Sequence, residues 1–215
     1  VEVETIAVSL GAQDKLAHPK RARRLSPFLV SAALMAGAAQ SDGGWSAAEV
    51  ENGITVTFRD DTRLQTREVR AVAELPHPPG RIIPLVCDFT QRLDPGVREA
   101  RILTGVVGGR YEIYLRYAPQ YWVVSARDVV IDVRPETNGC AWMEVAGRLP
   151  PQSGAVRMPL LRGSWGVESI DPSRSRVTYQ IAVRPGGRIP DWMVRRGAVG
   201  EMRDVIARVS RRLSS

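Results

Sequence analysis

The sequence predicts an α+β fold in which a curved antiparallel β-sheet wraps around a long C-terminal α-helix. Three observations lead there. Alternating, β-branched runs follow one another from Val97 to Val183, separated by turn signals such as Gly108-Gly109 and Asn138-Gly139. The chain then ends on one amphipathic stretch, Asp191 to Leu213. Strand–helix–strand alternation is missing, which argues against a doubly wound parallel sheet.

A chain of 215 residues is enough for one domain with a sizeable core. From Lys20 it reads KRARR and then LSPFLVSAALMAGAAQS, with no charge between Arg24 and Asp42. A basic stretch, an apolar stretch and the small-x-small site Ala36-Gly37-Ala38 are the three parts of a secretory signal. The apolar run is shorter than the ~20 residues a bilayer span requires. A packed amphipathic helix fits less well, because small and apolar residues fill every face. Residues 1–41 are therefore read as an extension with a signal peptide, and 44–215 as the folded domain of a periplasmic or secreted protein. In such a compartment Cys87 and Cys140 could form one disulfide. The preferred reading is two small buried residues in separate elements, since nothing brings their Cα atoms within the ~7 Å a bridge needs.

Within the domain, Trp45 to Glu51 is expected to form a short helical turn ended by Asn52-Gly53. Ile54 to Phe58 and Thr66 to Leu75 alternate as strands, and Pro76 to Gly80 breaks the second. Arg81 to Leu93 carries Ile82, Ile83, Val86, Phe89 and Leu93 at helical spacing, with Pro84 tolerated in its first turn. Asp94-Pro95-Gly96 stops that helix. Strands follow over Val97–Val107, Arg110–Tyr117, Val123–Val133, Ala141–Leu149, Val156–Ile170 and Arg176–Val183. A sheet of six or seven such strands twists and curls, leaving a concave side for the last helix. That helix sets Trp192, Val199, Met202, Ile206, Val209 and Leu213 close to one face, with Arg195, Arg196, Arg203, Arg208 and Arg211 largely off it.

The formal net charge of +7 comes almost wholly from arginine, which is dispersed and mixed with acids after Arg24. No run of like charge forms a nucleic-acid arm, so transient contact with an anionic membrane surface is the better use of these cations. Chemistry is sparse. His77 alone remains after the signal segment, between prolines, too little for a Ser-His-acid site or a histidine-based zinc site. Neither CxxC, HExxH nor a P-loop lysine occurs, so no cofactor or metal is implied. The acids Glu112, Asp128, Asp132 and Glu144 fall in strands without forming an evident acid–base pair.

Four segments in order resemble the START (steroidogenic acute regulatory protein-related lipid transfer) domain of the helix-grip superfamily. They are Trp45 with Asn52-Gly53-Ile-Thr-Val, Arg127-Asp128-Val-Val, Val156-Arg157-Met-Pro with Gly163-Ser-Trp165, and Gly186-Gly187-Arg-Ile189-Pro190-Asp-Trp192. The resemblance covers essentially 44–215 and implies one lipid, sterol or other apolar ligand held under the last helix. Some steroid-carrying members hold a buried acid–base pair at places that align with Tyr114 and Val133 here. The pair is absent, which makes "hydrophobic ligand" a safer expectation than steroid.

On this frame Tyr114 is the polar candidate for the cavity, with a plain strand tyrosine as the alternative. Arg127 either meets a ligand head or forms a structural ion pair with Asp128, Asp132 or a neighbouring strand. Trp142 and Met143 point to opposite faces, so one of them lines the pocket. Trp165 is expected to pack structurally. Met193, Val199, Met202 and Ile206 are expected to roof the ligand, the methionines repacking around it. A non-enzymatic carrier is expected, gated by the last helix; the rivals are a polyketide cyclase-like enzyme relying on Arg127 or Tyr114, and a ligand-sensing or interaction domain.

Overall fold

A computed structural model describes residues 44–119, 125–189 and 191–215, with the side chains of 47–49 and 191–196 left aside. The chain divides into two units, and every described residue belongs to the second, Ala39–Ser215. The signal-like segment Lys20–Ser41 and the side chain of Met193 lie outside the described residues.

The first strands are β1 (Ser46–Glu51), β2 (Ile54–Asp61) and β3 (Thr66–Leu75). After helix α1 (Pro79–Val86) come β4 (Val97–Gly105), β5 (Tyr111–Tyr117), β6 (Ala126–Glu136) and β7 (Gly139–Glu144). The chain closes with β8 (Ala155–Arg157), β9 (Leu160–Asp171), β10 (Arg174–Arg184) and helix α2 (Asp191–Ser214). All ten strands join one sheet in the order β1-β2-β3-β10-β9-β7-β6-β5-β4, with the short β8 paired in parallel to β6. The other pairings are antiparallel.

Where a helical turn is expected over Trp45–Glu51, Ser46–Glu51 instead forms β1. Asn52 and Gly53 both take left-handed backbone, φ 51° and 74°, and Glu51 lies opposite Ile54. Such a two-residue turn matches the twist of paired strands and folds the preceding segment back onto β2. The expected helix over Arg81–Leu93 is also shorter, ending at Val86. Asp88 ends it competitively, since its carboxylate accepts from the Thr90 amide and caps a separate 3-10 turn, Phe89–Gln91. The run Val156–Ile170 splits into β8 and β9 around Met158-Pro159, because proline has no amide for the ladder.

Period-two alternation sorts the strands into two faces. Val69 and Ala71 of β3, Ile113 and Leu115 of β5, Val129 and Ile131 of β6 and Trp165 of β9 enter one hydrophobic core. Ile82 and Val86 of α1 and Met202, Val205, Ile206, Val209 and Leu213 of α2 complete it from the other side. The opposite face carries ion pairs. Asp128 is fully buried there under a bidentate Arg157, with Nε–Oδ1 2.8 Å and Nη2–Oδ2 3.1 Å. Asp132 is held by Arg110 and Arg134, which lower its carboxyl from the ordinary range.

Candidate functional site

Where α2 crosses the sheet, the core is incompletely filled. A cavity of about 40 Å³ remains among Val86, Phe89, Leu115, Trp142, Trp165, Tyr179 and Val205. Its wall is aromatic: Phe89 meets Trp142 edge-on at 5.0 Å between centroids, and Tyr179 stacks on Trp165 at 4.2 Å. Trp142 reaches this position because Gly163 lies beneath it. A Cβ at Gly163 would stand 2.6 Å from the Trp142 ring and 2.2 Å from the Gln180 carbonyl.

Polar groups line the same space, among them Asp94, Tyr117 and Tyr179, with Asp88 and Arg92 beside them. Oδ1 of Asp94 accepts the Gly96 amide at 2.8 Å. Burial chiefly, with Glu201 nearby, pushes the Asp94 carboxyl up to about 6, against the pull of the Gly96 amide and Arg208. Burial likewise raises both phenols well above the tyrosine range, and the charges of Asp94 and Glu201 add to it. They are therefore neutral hydroxyls at any physiological pH, and neither has a hydrogen-bond partner among the described residues.

The rim on the α1 side is fastened covalently. Cys87, just past α1, is bonded to Cys140 of β7 with Cα atoms 5.9 Å apart. The preferred expectation of two separate thiols is corrected: β7 passes under the end of α1, a juxtaposition of distant segments that local pattern does not encode. Tyr111 adds a second tie. Its hydroxyl donates to the Cys87 carbonyl at 2.6 Å and accepts the Phe89 amide at 3.0 Å, and burial pushes the phenol up to about 12.

Of the residues expected to line a pocket, Trp142 is buried in the cavity wall while Met143 is 40% exposed on the other face. Met202 and Ile206 are buried under α2, and Val199 is half-buried against the same core. Trp165, expected to pack structurally, also lines the cavity. Tyr114 is buried, but on the face away from α2, beside Arg116 and Asp128 and under the Arg101 guanidinium at 5.4 Å from its ring centroid. It does not reach the cavity. Arg127 takes neither expected role. It donates to the carbonyls of Pro185 (2.9 Å), Ser125 (2.6 Å) and Gly186 (3.2 Å), pinning the loop that leads into α2.

The groups that do converge, Asp94, Tyr117 and Tyr179, were not among the residues singled out from the sequence. A signal existed for Tyr117, since alternation in YEIYLRY puts it with Tyr111, Ile113 and Leu115 and leaves Tyr114 with Glu112 and Arg116.

A space of about 40 Å³ holds two or three waters. Ligand pockets for small molecules occupy roughly 300–1,000 Å³. The space as it stands is thus smaller than such a pocket. The α1 side is held by the disulfide. Among the described residues no group of three or more metal-ligating side chains occurs, and no helix is long and apolar enough to cross a membrane.

Comparison with known proteins agrees with this architecture. No protein-family model matches the chain. An uncharacterized protein of Pseudomonas aeruginosa is 35% identical over 77 residues, 34% of this chain and 38% of that protein, so the match spans well under two thirds of its length. The crystal structure of a STAR-related lipid transfer protein fragment from Xanthomonas axonopodis superposes with a TM-score of 0.69 at 26% identity, covering 80% of this chain and 99% of that one. Human StAR-related lipid transfer protein 5 gives 0.72 at 16% identity over 81% of this chain and 88% of that one, a likeness of fold alone.

Proposed function

The chain is a START domain with a helix-grip fold, and on that premise we propose that it carries one lipid or other hydrophobic molecule between membranes, held beneath α2. The chief support is the apolar inner face, which α2 roofs and leaves with an aromatic-walled cavity. The Xanthomonas structure, which aligns over nearly its whole length, is described as a lipid transfer protein. The physical task is large. At ~0.8 kcal/mol per buried CH₂, a sixteen-carbon chain loses on the order of 12 kcal/mol on entering water, so unaided crossing is slow. Exchange requires α2 to swing off the sheet, with arginines of that helix guiding it to anionic headgroups.

The proposed compartment is the periplasm or the exterior. The signal-like run Lys20–Ser41 supports it, and so does the Cys87–Cys140 disulfide, a bond that persists in oxidising surroundings. Thiol trapping of the protein in its host tests this: modified free thiols in fresh cell extract would refute export.

A second reading, catalysis on an enclosed apolar substrate, draws on Asp94, an acid whose raised pKa suits proton transfer near neutrality. It would be refuted if Asp94→Asn left turnover of any identified substrate intact.

Native mass spectrometry of protein purified from its host, with a vesicle-to-vesicle transfer assay, tests the carrier reading. A co-purified apolar molecule and transfer faster than the protein-free rate are expected. Neither appearing would sink the proposal.

A further inference from the structure

Resting on the reading that the cavity takes a hydrophobic ligand, we propose that Tyr117, Tyr179 and Asp94 receive the head of that ligand, and that the head donates hydrogen bonds and carries no negative charge. A hydroxyl or a protonated amine on a long apolar body meets this description. The aromatic wall takes the body, and the polar corner takes the head.

The corner gathers polar groups beside an aromatic wall. Tyr179 is buried and Tyr117 half-buried, and both rings line the cavity with Asp94. Asp94 turns one oxygen to the Gly96 amide, and its second has no hydrogen bond among the described residues. The corner therefore offers two neutral hydroxyls, which donate or accept, and a carboxylate oxygen, which accepts.

Charge decides what enters. Asp88 and Asp94 line the cavity with Arg92, while Glu201 and Arg208 of α2 act on Asp94 from the roof. Among the charged residues that line it, two acids against one base leave the site negative. A carboxylate or phosphate head would face Asp94 and Asp88 and be disfavoured. A hydroxyl donates to Asp94 and accepts from a phenol; an ammonium donates to Asp94 and to both phenol oxygens. Hydrogen bonds to a charged partner are the stronger kind, so the preference should be roughly tenfold or more.

The experiment uses the mature protein with hexadecanol, hexadecylamine and hexadecanoate delivered from cyclodextrin at pH 7.5. Fluorescence of Trp142 and Trp165 in the cavity wall, with calorimetry, reports binding. Hexadecanol or hexadecylamine should bind at least tenfold tighter than hexadecanoate, an alcohol preference identifying a neutral head and an amine preference a cationic one. The Tyr117→Phe/Tyr179→Phe double variant, which keeps both rings, should lose the preference and retain binding. Asp94→Asn, close in shape, should do the same for the amine. Hexadecanoate binding equally well, or a preference that survives in both variants, overturns the inference while leaving the carrier reading standing. Failure of all three probes to bind overturns both.

Discussion

Gly197 and Gly200 sit in the N-terminal half of α2, and nothing in the packing asks for glycine at either. A Cβ at Gly200 would meet no atom within 4 Å, and one at Gly197 would meet only Glu201 Oε1 of the same helix, at 4.0 Å. Both positions are exposed. Glycine in a helix interior lowers its stability by roughly 0.5–1 kcal/mol relative to alanine. From Met202 onward α2 is firmly held, through Arg203 to Glu51 at 2.6 Å and through Arg81 to the Leu213 carbonyl at 3.0 Å. The two glycines make this the intrinsically weaker half of the helix, and the prediction places the gate there. Replacing both glycines with alanine should stabilise α2 by roughly 1–2 kcal/mol. If release requires that half to unwind or bend, the same energy adds to the barrier and slows exchange about five- to thirtyfold. Stopped-flow exchange of a fluorescent acyl probe measures this, and thermal melting confirms the stabilisation. Gly80→Ala in α1, where a Cβ also meets open space, is the control and should leave exchange unchanged. A double variant that melts higher but exchanges at the wild-type rate would refute the reasoning and place the gate elsewhere.

The disulfide closes a long loop, with a separation of 53 residues. Chain-entropy arguments assign such a bond about 4 kcal/mol, so a Cys87→Ser/Cys140→Ser variant should lose that amount in urea denaturation. Asp94 gives a signed pH effect. Its pKa is about 6 when folded against an ordinary 3.8, so the native state binds more protons over that interval and stability falls as pH rises through it. Asp94→Asn should therefore be more stable than wild type above pH 6, by up to roughly 3 kcal/mol, and equal to it below pH 4. Arg157→Ala strands the buried Asp128 carboxylate on the outer face and should cost roughly 3–5 kcal/mol by the same assay, with cavity fluorescence unchanged.

Strands with clean alternation were legible from the chain. The expected Thr66–Leu75 coincides with β3, and most later strands shift by a few residues. The long last helix was equally plain, because its apolar positions recur at helical spacing. Trouble came where local chemistry competes with pattern. Trp45–Glu51 has no decisive period of its own, and only the left-handed Asn52-Gly53 pair makes it a strand. Asp88 and Asp94 look like punctuation in the sequence, yet one ends a helix and the other turns into the cavity. The site suffered most. Tyr117 and Tyr179 belong to strands far apart in the chain, and their meeting is a product of sheet order that no window of residues contains.

That sheet order has a consequence for how the chain acquires its structure. β3 finds its outer neighbour in β2 at once, but its inner neighbour is β10, with Val72 opposite Thr178. The seam between the first three strands and the rest is therefore made by the last strand of the sheet in chain order. Pairings of such high contact order close slowly, because loop entropy is lost before the contacts form. Until β10 arrives, β3 shows an open edge, and α2, which follows it, has no complete surface to cover. Until β10 joins, the domain remains an unsealed sheet, exposed to aggregation and accessible to chaperones.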